Sequence, residues 1–191
     1  MTSIPTSRFP GGRLAALALL VFTAIGGTIV LAAQDKYTVK VPDGLAFSDF
    51  RGYEDWQTVA VSQLESANLL RAIVANPVMI NAYRAGIPDN GKPFPNGSKI
   101  AKLEWTQKKI TDAPWSASAP DTMADTLKVV ELIEKDTKRF PDSRGWGYAE
   151  FAYDAASDTF KPAVTGTKCG ASCHEIAGPA KDYIFNAYLK R

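Results

Sequence analysis

Both cysteines and the only histidine of this 191-residue chain lie within one short segment, Cys169-Gly170-Ala171-Ser172-Cys173-His174. A cysteine pair followed at once by histidine is the arrangement that ties a haem covalently to a protein, with the thiols on the vinyl groups and the imidazole on the iron. The usual motif has two residues between the cysteines, whereas this one has three. These three residues are small enough for the extra one to bulge without blocking the porphyrin edge. The segment therefore predicts a c-type haem bound by Cys169 and Cys173, with His174 as the iron ligand.

A second interpretation of the same segment is a small disulfide loop beside an incidental histidine. Disulfides persist in oxidising compartments outside the cytoplasm, and covalent haem attachment is compatible with the same location. Export of the chain therefore does not separate the two interpretations.

Residues 1–33 have the composition of an export signal. Two arginines precede an almost wholly apolar run over residues 14–32, which ends in small residues of the kind that a signal peptidase reads. We expect cleavage after Ala32 or Ala33, so that residues 34–191 fold in the periplasm. The apolar run, at about twenty residues, is also long enough for an uncleaved membrane anchor.

The exported part of the chain has almost no net charge. The formal net charge of the whole chain is +2, and two of its arginines belong to the predicted signal. No basic patch indicates nucleic-acid binding. The remaining part, about 158 residues, is large enough for one domain with a core of its own.

Residue patterns predict short strands and helices along this domain. Strands are predicted at residues 58–61, 98–105 and 145–153, helices at 47–56, 76–86 and from 179 onward, and loops at 86–97 and 111–126. The clearest helix is that at 76–86, since Asn76 can cap it, Pro77 suits its first turn and Gly86 can end it. The apolar side of the last helix would consist of Tyr183, Ile184, Ala187 and Tyr188.

Residues 127–134 fit two patterns. With a period of two residues they form a strand, which places a lone carboxylate, Glu131, on an otherwise apolar face. With a helical period, Glu131 would instead pair with Lys135 one turn later in an exposed contact. The pattern alone leaves both interpretations open.

Four segments in succession resemble the cytochrome P-460 family. They are FPNGSKIAK at residues 94–102, KDTKRF at 135–140, GWGY at 145–148 and the C-terminal cysteine-histidine motif. The resemblance extends from about Tyr37 to the end of the chain. It implies an α+β fold for residues 34–191, in which an antiparallel β-sheet with flanking helices binds a c-type haem near the C-terminus, and it implies a homodimer.

The resemblance also implies roles for two further residues. In cytochromes P-460 a strand lysine forms an additional covalent bond to the porphyrin, and Lys102 is at the matching position. A distal carboxylate assists proton removal from the substrate, and counting back from the KDTKRF segment places Glu131 there, which agrees with the strand interpretation. From pattern alone, Lys102 would be a solvated lysine and Glu131 a structural carboxylate.

The function implied by the resemblance is the oxidation of hydroxylamine to nitrous oxide or nitric oxide at a five-coordinate haem, with electrons passing to an external redox partner. Relatives called cytochrome c′-beta share the fold without the crosslink and bind nitric oxide or carbon monoxide. A simple electron-transfer cytochrome would need a sixth protein ligand, for which Met79 and Met123 are the candidates, since His174 is the only histidine.

Overall fold

The computed structural model describes Met1 and residues 33–42, 44–110, 122–164 and 166–188. Residues 2–32 of the predicted signal and residues 111–121 of the predicted loop lie outside this described part. The chain divides into Met1–Ala32 and a second compact unit, Ala33–Arg191, which carries the fold.

One six-stranded sheet organises this unit, and its strands follow one another in space in the order of the sequence. The strands are β1 (Gln57–Leu64), β2 (Leu69–Ala75), β3 (Lys99–Lys109), β4 (Thr122–Lys135), β5 (Trp146–Asp154) and β6 (Thr159–Pro162). Each neighbouring pair is antiparallel. Within the described part of the chain, two α-helices, α1 (Pro77–Arg84) and α2 (Thr167–His174), accompany the sheet. The predicted α+β fold class is therefore correct.

Helix α1 has the ends that its sequence predicts. The side chain of Asn76 accepts hydrogen bonds from the backbone N–H groups of Met79, at 3.0 Å, and Lys99, at 3.1 Å. Pro77 occupies the first turn, where its missing N–H costs nothing. The same asparagine thus caps the helix and ties it to the start of β3.

Residues 127–134 form a strand, as the two-residue period indicates, and not a helix. This strand, β4, starts earlier than expected, so the predicted loop at 111–126 is wrong for residues 122–126. These residues extend the hairpin with β3, in which the side-chain oxygen of Thr106 accepts the backbone N–H of Thr126. Cross-strand pairing therefore overrides the turn-like composition of the segment.

The helix predicted at residues 47–56 is two 3₁₀ turns, Phe47–Phe50 and Tyr53–Asp55. Gly52, with φ of 78°, separates them because this left-handed conformation ends a right-handed helix. Other short 3₁₀ turns among the residues that the structure describes are Lys36–Thr38, Glu65–Ala67, Pro141–Ser143, Glu175–Ala177 and Pro179–Lys181.

The last predicted helix, from Pro179, is wrong. Only the turn Pro179–Lys181 forms, and Asp182 and Tyr183 then adopt left-handed φ angles of 44° and 63°. The Asp182 carboxylate is buried and bonded to Lys135, which is remote in sequence. A tertiary contact therefore fixes this segment in a form that local periodicity does not predict.

The sheet carries an apolar cluster on each face, because successive residues of a strand point to opposite sides. One cluster, with α1, contains Val59, Ile73, Ala75, Met79, Ile80, Phe94, Ile100, Ile133, Trp146, Tyr148 and Ile184. The other contains Val41, Leu45, Phe47, Phe50, Ala101, Val130, Leu132, Phe140, Ala149 and Phe151. Helix α2 packs against β5 beside the first cluster.

Candidate functional site

Helix α2 contains the whole cysteine-histidine motif. Cys169 and Cys173 are both free and exposed, and they are four residues apart in a continuous α-helix. Positions four apart lie on one helix face, one turn from each other. The expected bulge is therefore absent, since the helix accommodates the extra residue. In this structure the thiols are not joined as the disulfide interpretation requires.

Gly170 allows α2 to lie directly on the sheet. A Cβ atom at this position would overlap the side chain of Tyr148 on β5, including the Cβ and Cγ atoms of the tyrosine. Any larger residue would push the helix away from the strand. The close approach directs the motif toward the sheet face that carries Tyr148.

His174 has one ring nitrogen engaged and the other left for a ligand. Its Nδ1 is 2.5 Å from the carbonyl oxygen of Tyr183. A carbonyl only accepts, so Nδ1 carries the proton and Nε2 keeps its lone pair. The ring contacts the rings of Tyr148 and Phe185, whose centroids are each 4.9 Å from that of the imidazole. Burial lowers the pKa of His174, which favours the neutral form that binds metals.

A cleft of about 260 Å³ lies between α2 and the sheet. Its lining includes Cys169, Cys173 and His174 from the helix, together with Lys102 from β3 and Glu131 from β4. All the residues that the sequence predicts for the site therefore meet in one place, although they come from three elements.

Glu131 is not the lone carboxylate that the strand pattern suggests. It lies opposite Lys102 in the register of β3 and β4, and its Oε2 is 2.6 Å from the lysine Nζ. The same Nζ is 3.2 Å from Oε1 of Glu104, which in turn is 2.7 Å from the guanidinium of Arg71. A chain of alternating charges therefore crosses three strands, and Lys102, about one quarter exposed, is not a freely solvated side chain.

A further carboxylate, Glu150, also lines the cleft and was not expected from the sequence. It lies on β5 directly opposite Glu131. Burial, and next the negative charge of Glu131, raise the pKa of Glu150. Like charges in directly opposed positions destabilise a sheet, so this pair has an energetic cost that is smallest when Glu150 is protonated. Glu150 lies two positions after Tyr148 on β5, so strand alternation places both side chains on one face, and this pattern could have indicated Glu150 from the sequence. Only the register of β4 and β5 shows that Glu150 lies opposite Glu131.

The family model of Cytochrome P460 matches residues 50–186, which is more than half of the chain. The chain belongs to the cytochrome P-460 family. No curated protein matches the chain. Membership of the family implies a haem cofactor. Among the residues that the structure describes, we find no helix with the length and apolar character needed to cross a membrane.

The donors in this cytochrome P-460 cleft fit a haem. Two unpaired thiols share one face of α2, and the next residue is an imidazole whose Nε2 is available. These are the groups that covalent attachment and axial ligation need. Family membership implies a haem, and the donor chemistry makes α2 the candidate element for holding it.

Neither methionine considered as a sixth ligand is among the residues that line the cleft. Met79 is fully buried in the cluster beside α1. Met123 is 42% exposed at the start of β4, where it lies opposite Lys108. These positions count against a cytochrome whose iron has a methionine on the second side.

Proposed function

We propose that this protein is a periplasmic c-type haem enzyme that oxidises hydroxylamine to nitrous oxide or nitric oxide. Cys169 and Cys173 bind the haem covalently, and His174 is the proximal iron ligand. The observation that carries the proposal is the single cleft that these residues share with Lys102 and Glu131. The composition of residues 1–33 supports export, and the family resemblance supports a homodimer.

The chain must manage protons during this reaction. Oxidation of two hydroxylamine molecules to one nitrous oxide and one water releases four protons and four electrons, and the electrons go to an external redox partner. The haem, when bound, supplies the iron that binds the substrate nitrogen and accepts electrons. The carboxylate of Glu131 accepts these protons one at a time and releases each to solvent, to which it is 27% exposed. We assign this role to it because it is the acidic group that the family resemblance places beside the substrate. A positioned base contributes about 10² to 10⁴ in rate.

Lys102 and Glu131 also suit the formation of a lysine-porphyrin bond. An ammonium group has no lone pair, so Lys102 must lose one proton before its nitrogen can bond to carbon. Oε2 of Glu131, 2.6 Å from Nζ, can take this proton. The bond would then replace one N–H and one C–H bond with release of two protons and two electrons, so it would require a two-electron oxidant such as a peroxide. Once Lys102 is bonded, Glu131 loses its cationic partner and becomes available to the substrate.

A gas-binding protein of the cytochrome c′-beta type is the second candidate. It is favoured by the two ion pairs of Lys102, with Glu131 and Glu104, because both contacts hold its nitrogen against the sheet and would have to break before that nitrogen could bond to a porphyrin. In that protein Lys102 stays unbonded, and the cleft binds nitric oxide or carbon monoxide without moving protons.

Substitution of Glu131 separates the two candidates. Glu131→Gln keeps the shape of the side chain but cannot take up a proton, so we expect hydroxylamine to bind the ferric protein while turnover falls at least tenfold, within the range for a lost base. The matched control is Glu134→Gln on the same strand, because Glu134 pairs with Lys99 and Arg139 outside the cleft. The measurements are steady-state oxidation with an artificial electron acceptor and a spectroscopic binding titration.

The outcomes differ clearly. Equal turnover in Glu131→Gln and wild type removes Glu131 from the mechanism. The gas-binding candidate is established instead if the haem-loaded wild type shows no turnover and Glu131→Gln changes its nitric oxide affinity no more than a few-fold.

A further inference from the structure

A buried ion pair lies next to the segment that contacts His174. Nζ of Lys135 is 2.8 Å from Oδ1 of Asp182, and the two residues are only 4% and 7% exposed. Lys135 also donates to the carbonyl of Arg144, at 3.1 Å, and its ammonium is 4.8 Å from the ring centroid of Trp146. Oδ2 of Asp182 accepts the backbone N–H of Phe94, at 2.8 Å. The pair is thus held from several directions, which a buried ion pair requires.

The ion pair holds an unusual backbone in place. Asp182 and Tyr183 both have left-handed φ angles, which non-glycine residues rarely adopt and which persist only where surrounding contacts impose them. The backbone N–H of Tyr183 donates to the carbonyl of Gly178, at 3.0 Å. Its own carbonyl, one residue beyond the buried carboxylate, is the group that accepts from Nδ1 of His174.

We propose that the Lys135–Asp182 ion pair is a positioning device for His174, which holds the Tyr183 carbonyl against Nδ1 and thereby sets the orientation and basicity of the imidazole as an iron ligand. This inference rests on the proposed function in one respect, namely that His174 binds the haem iron.

The physical link is the hydrogen bond to the ligand. A carbonyl that accepts from Nδ1–H fixes the ring and increases electron donation from Nε2, and such second contacts tune a metal site strongly. If Asp182 loses its buried partner, the left-handed segment has less to hold it, and the carbonyl of Tyr183 moves away from Nδ1. The iron–histidine bond then weakens and the reduction potential rises.

The test is a double variant, Lys135→Met/Asp182→Asn. Removing both charges avoids an unpaired buried charge. Asparagine tolerates the left-handed backbone and can still accept from Phe94, and methionine fills most of the lysine volume. In haem-loaded protein we expect a lower iron–histidine stretching frequency in the resonance Raman spectrum of the ferrous form, together with a higher midpoint potential and little change in Tm. If this variant does not fold, Lys135→Gln/Asp182→Asn also removes both charges while keeping a neutral polar side chain at each position, and we expect shifts in the same direction.

The matched control is Lys181→Met/Asp89→Asn. This pair, at 2.6 Å, joins the same 3₁₀ turn to the loop after α1 but is half or more exposed on both side chains. We expect the wild-type frequency and potential in the control. A haem-loaded Lys135→Met/Asp182→Asn protein that also keeps both values overturns the inference alone, whereas a wild type that takes up no haem overturns the proposed function and the inference together.

Discussion

Lys102 and Glu131 occupy directly opposed positions on β3 and β4, with their charged atoms 2.6 Å apart. The hydrogen bonds of the sheet therefore determine which acid accompanies the lysine. A register slip of one residue would move Glu131 to the opposite face and bring an apolar neighbour into the cleft. The chemistry of the site depends on strand register as much as on residue identity.

Haem attachment is tested by removing one thiol. We expect Cys173→Ala to reduce or abolish the haem that stays with the chain in a denaturing gel, because each thioether is a separate covalent link. Ser172→Ala is the control, since the Ser172 hydroxyl only donates to the carbonyl of Lys168 within α2. Wild-type protein matured alongside a c-haem assembly system, yet without haem stain or added mass, would contradict the assignment.

The crosslink is tested on β3. We expect Lys102→Leu to move a red-shifted Soret band to that of an ordinary c-type haem. Lys99→Leu should leave the band unchanged, because Lys99 points to the other face and bonds to the carbonyl of Asp49, at 2.6 Å, and to Glu134. Absorption spectra of the three purified proteins are compared. An ordinary band already present in the wild type moves the assignment to the gas-binding relatives.

Glu150 should make stability depend on pH. Its folded pKa is raised above the usual 4.5, so as pH rises past that value the unfolded chain releases the proton first and the folded state becomes progressively less stable. The glutamine in Glu150→Gln does not titrate, so the variant does not lose folding stability in this way as pH rises. We expect the variant to gain stability relative to wild type between acid and neutral pH, with no further gain above the folded pKa, as measured by urea unfolding across that range.

The second cause of the Glu150 shift provides the control for that experiment. Because the charge of Glu131 contributes, the pH-dependent gain from Glu150→Gln should be smaller in a Glu131→Gln background. A stability difference that does not vary with pH would show that Glu150 titrates alike in the folded and unfolded chains.

Two glycine substitutions test whether haem loading requires the close approach of α2 to the sheet. Gly170→Ala places a methyl group inside the Tyr148 side chain, so we expect lower stability and less haem incorporated per chain. Gly147→Ala creates a similar overlap with Phe140 on the other face of the sheet. The control should lower Tm without lowering the haem content of the folded fraction. Equal haem loading in both variants would show that haem attachment does not depend on how closely α2 packs on the sheet.

The parts of the structure that local chemistry determines could be predicted from the sequence. Asn76 and Pro77 mark the start of α1, and the two-residue period of β4 indicates a strand. The site residues could be named because the cysteine-histidine motif is compact and because family resemblance supplied Lys102 and Glu131. The strand assignments of Lys102 and Glu131 were correct, but their meeting with the motif in one cleft also depends on the register of β3 and β4 and on the packing of α2.

Long-range contacts explain what could not be predicted. The final helix fails because the carboxylate of Asp182 is bonded to Lys135, forty-seven positions earlier in the chain. Glu150 was missed because its importance comes from lying opposite Glu131. The sequence of neither strand alone determines how the two strands align. The Cys169–His174 segment has no apolar periodicity that would indicate a helix. Helix α2 could therefore not be predicted from the sequence, since its packing against Tyr148 is revealed only by the structure.

The continuous helix through the motif also makes the two thiols unequal. Each residue turns the helix by about 100°, so one additional residue rotates Cys169 by about 100° around the axis relative to the histidine, compared with a two-residue spacing. Cys173 and His174 remain neighbours, and their relation is unchanged. The altered azimuth therefore falls wholly on Cys169, so in a haem-loaded protein its sulfur would approach the porphyrin from a different direction than in a two-residue motif, whereas Cys173 would not.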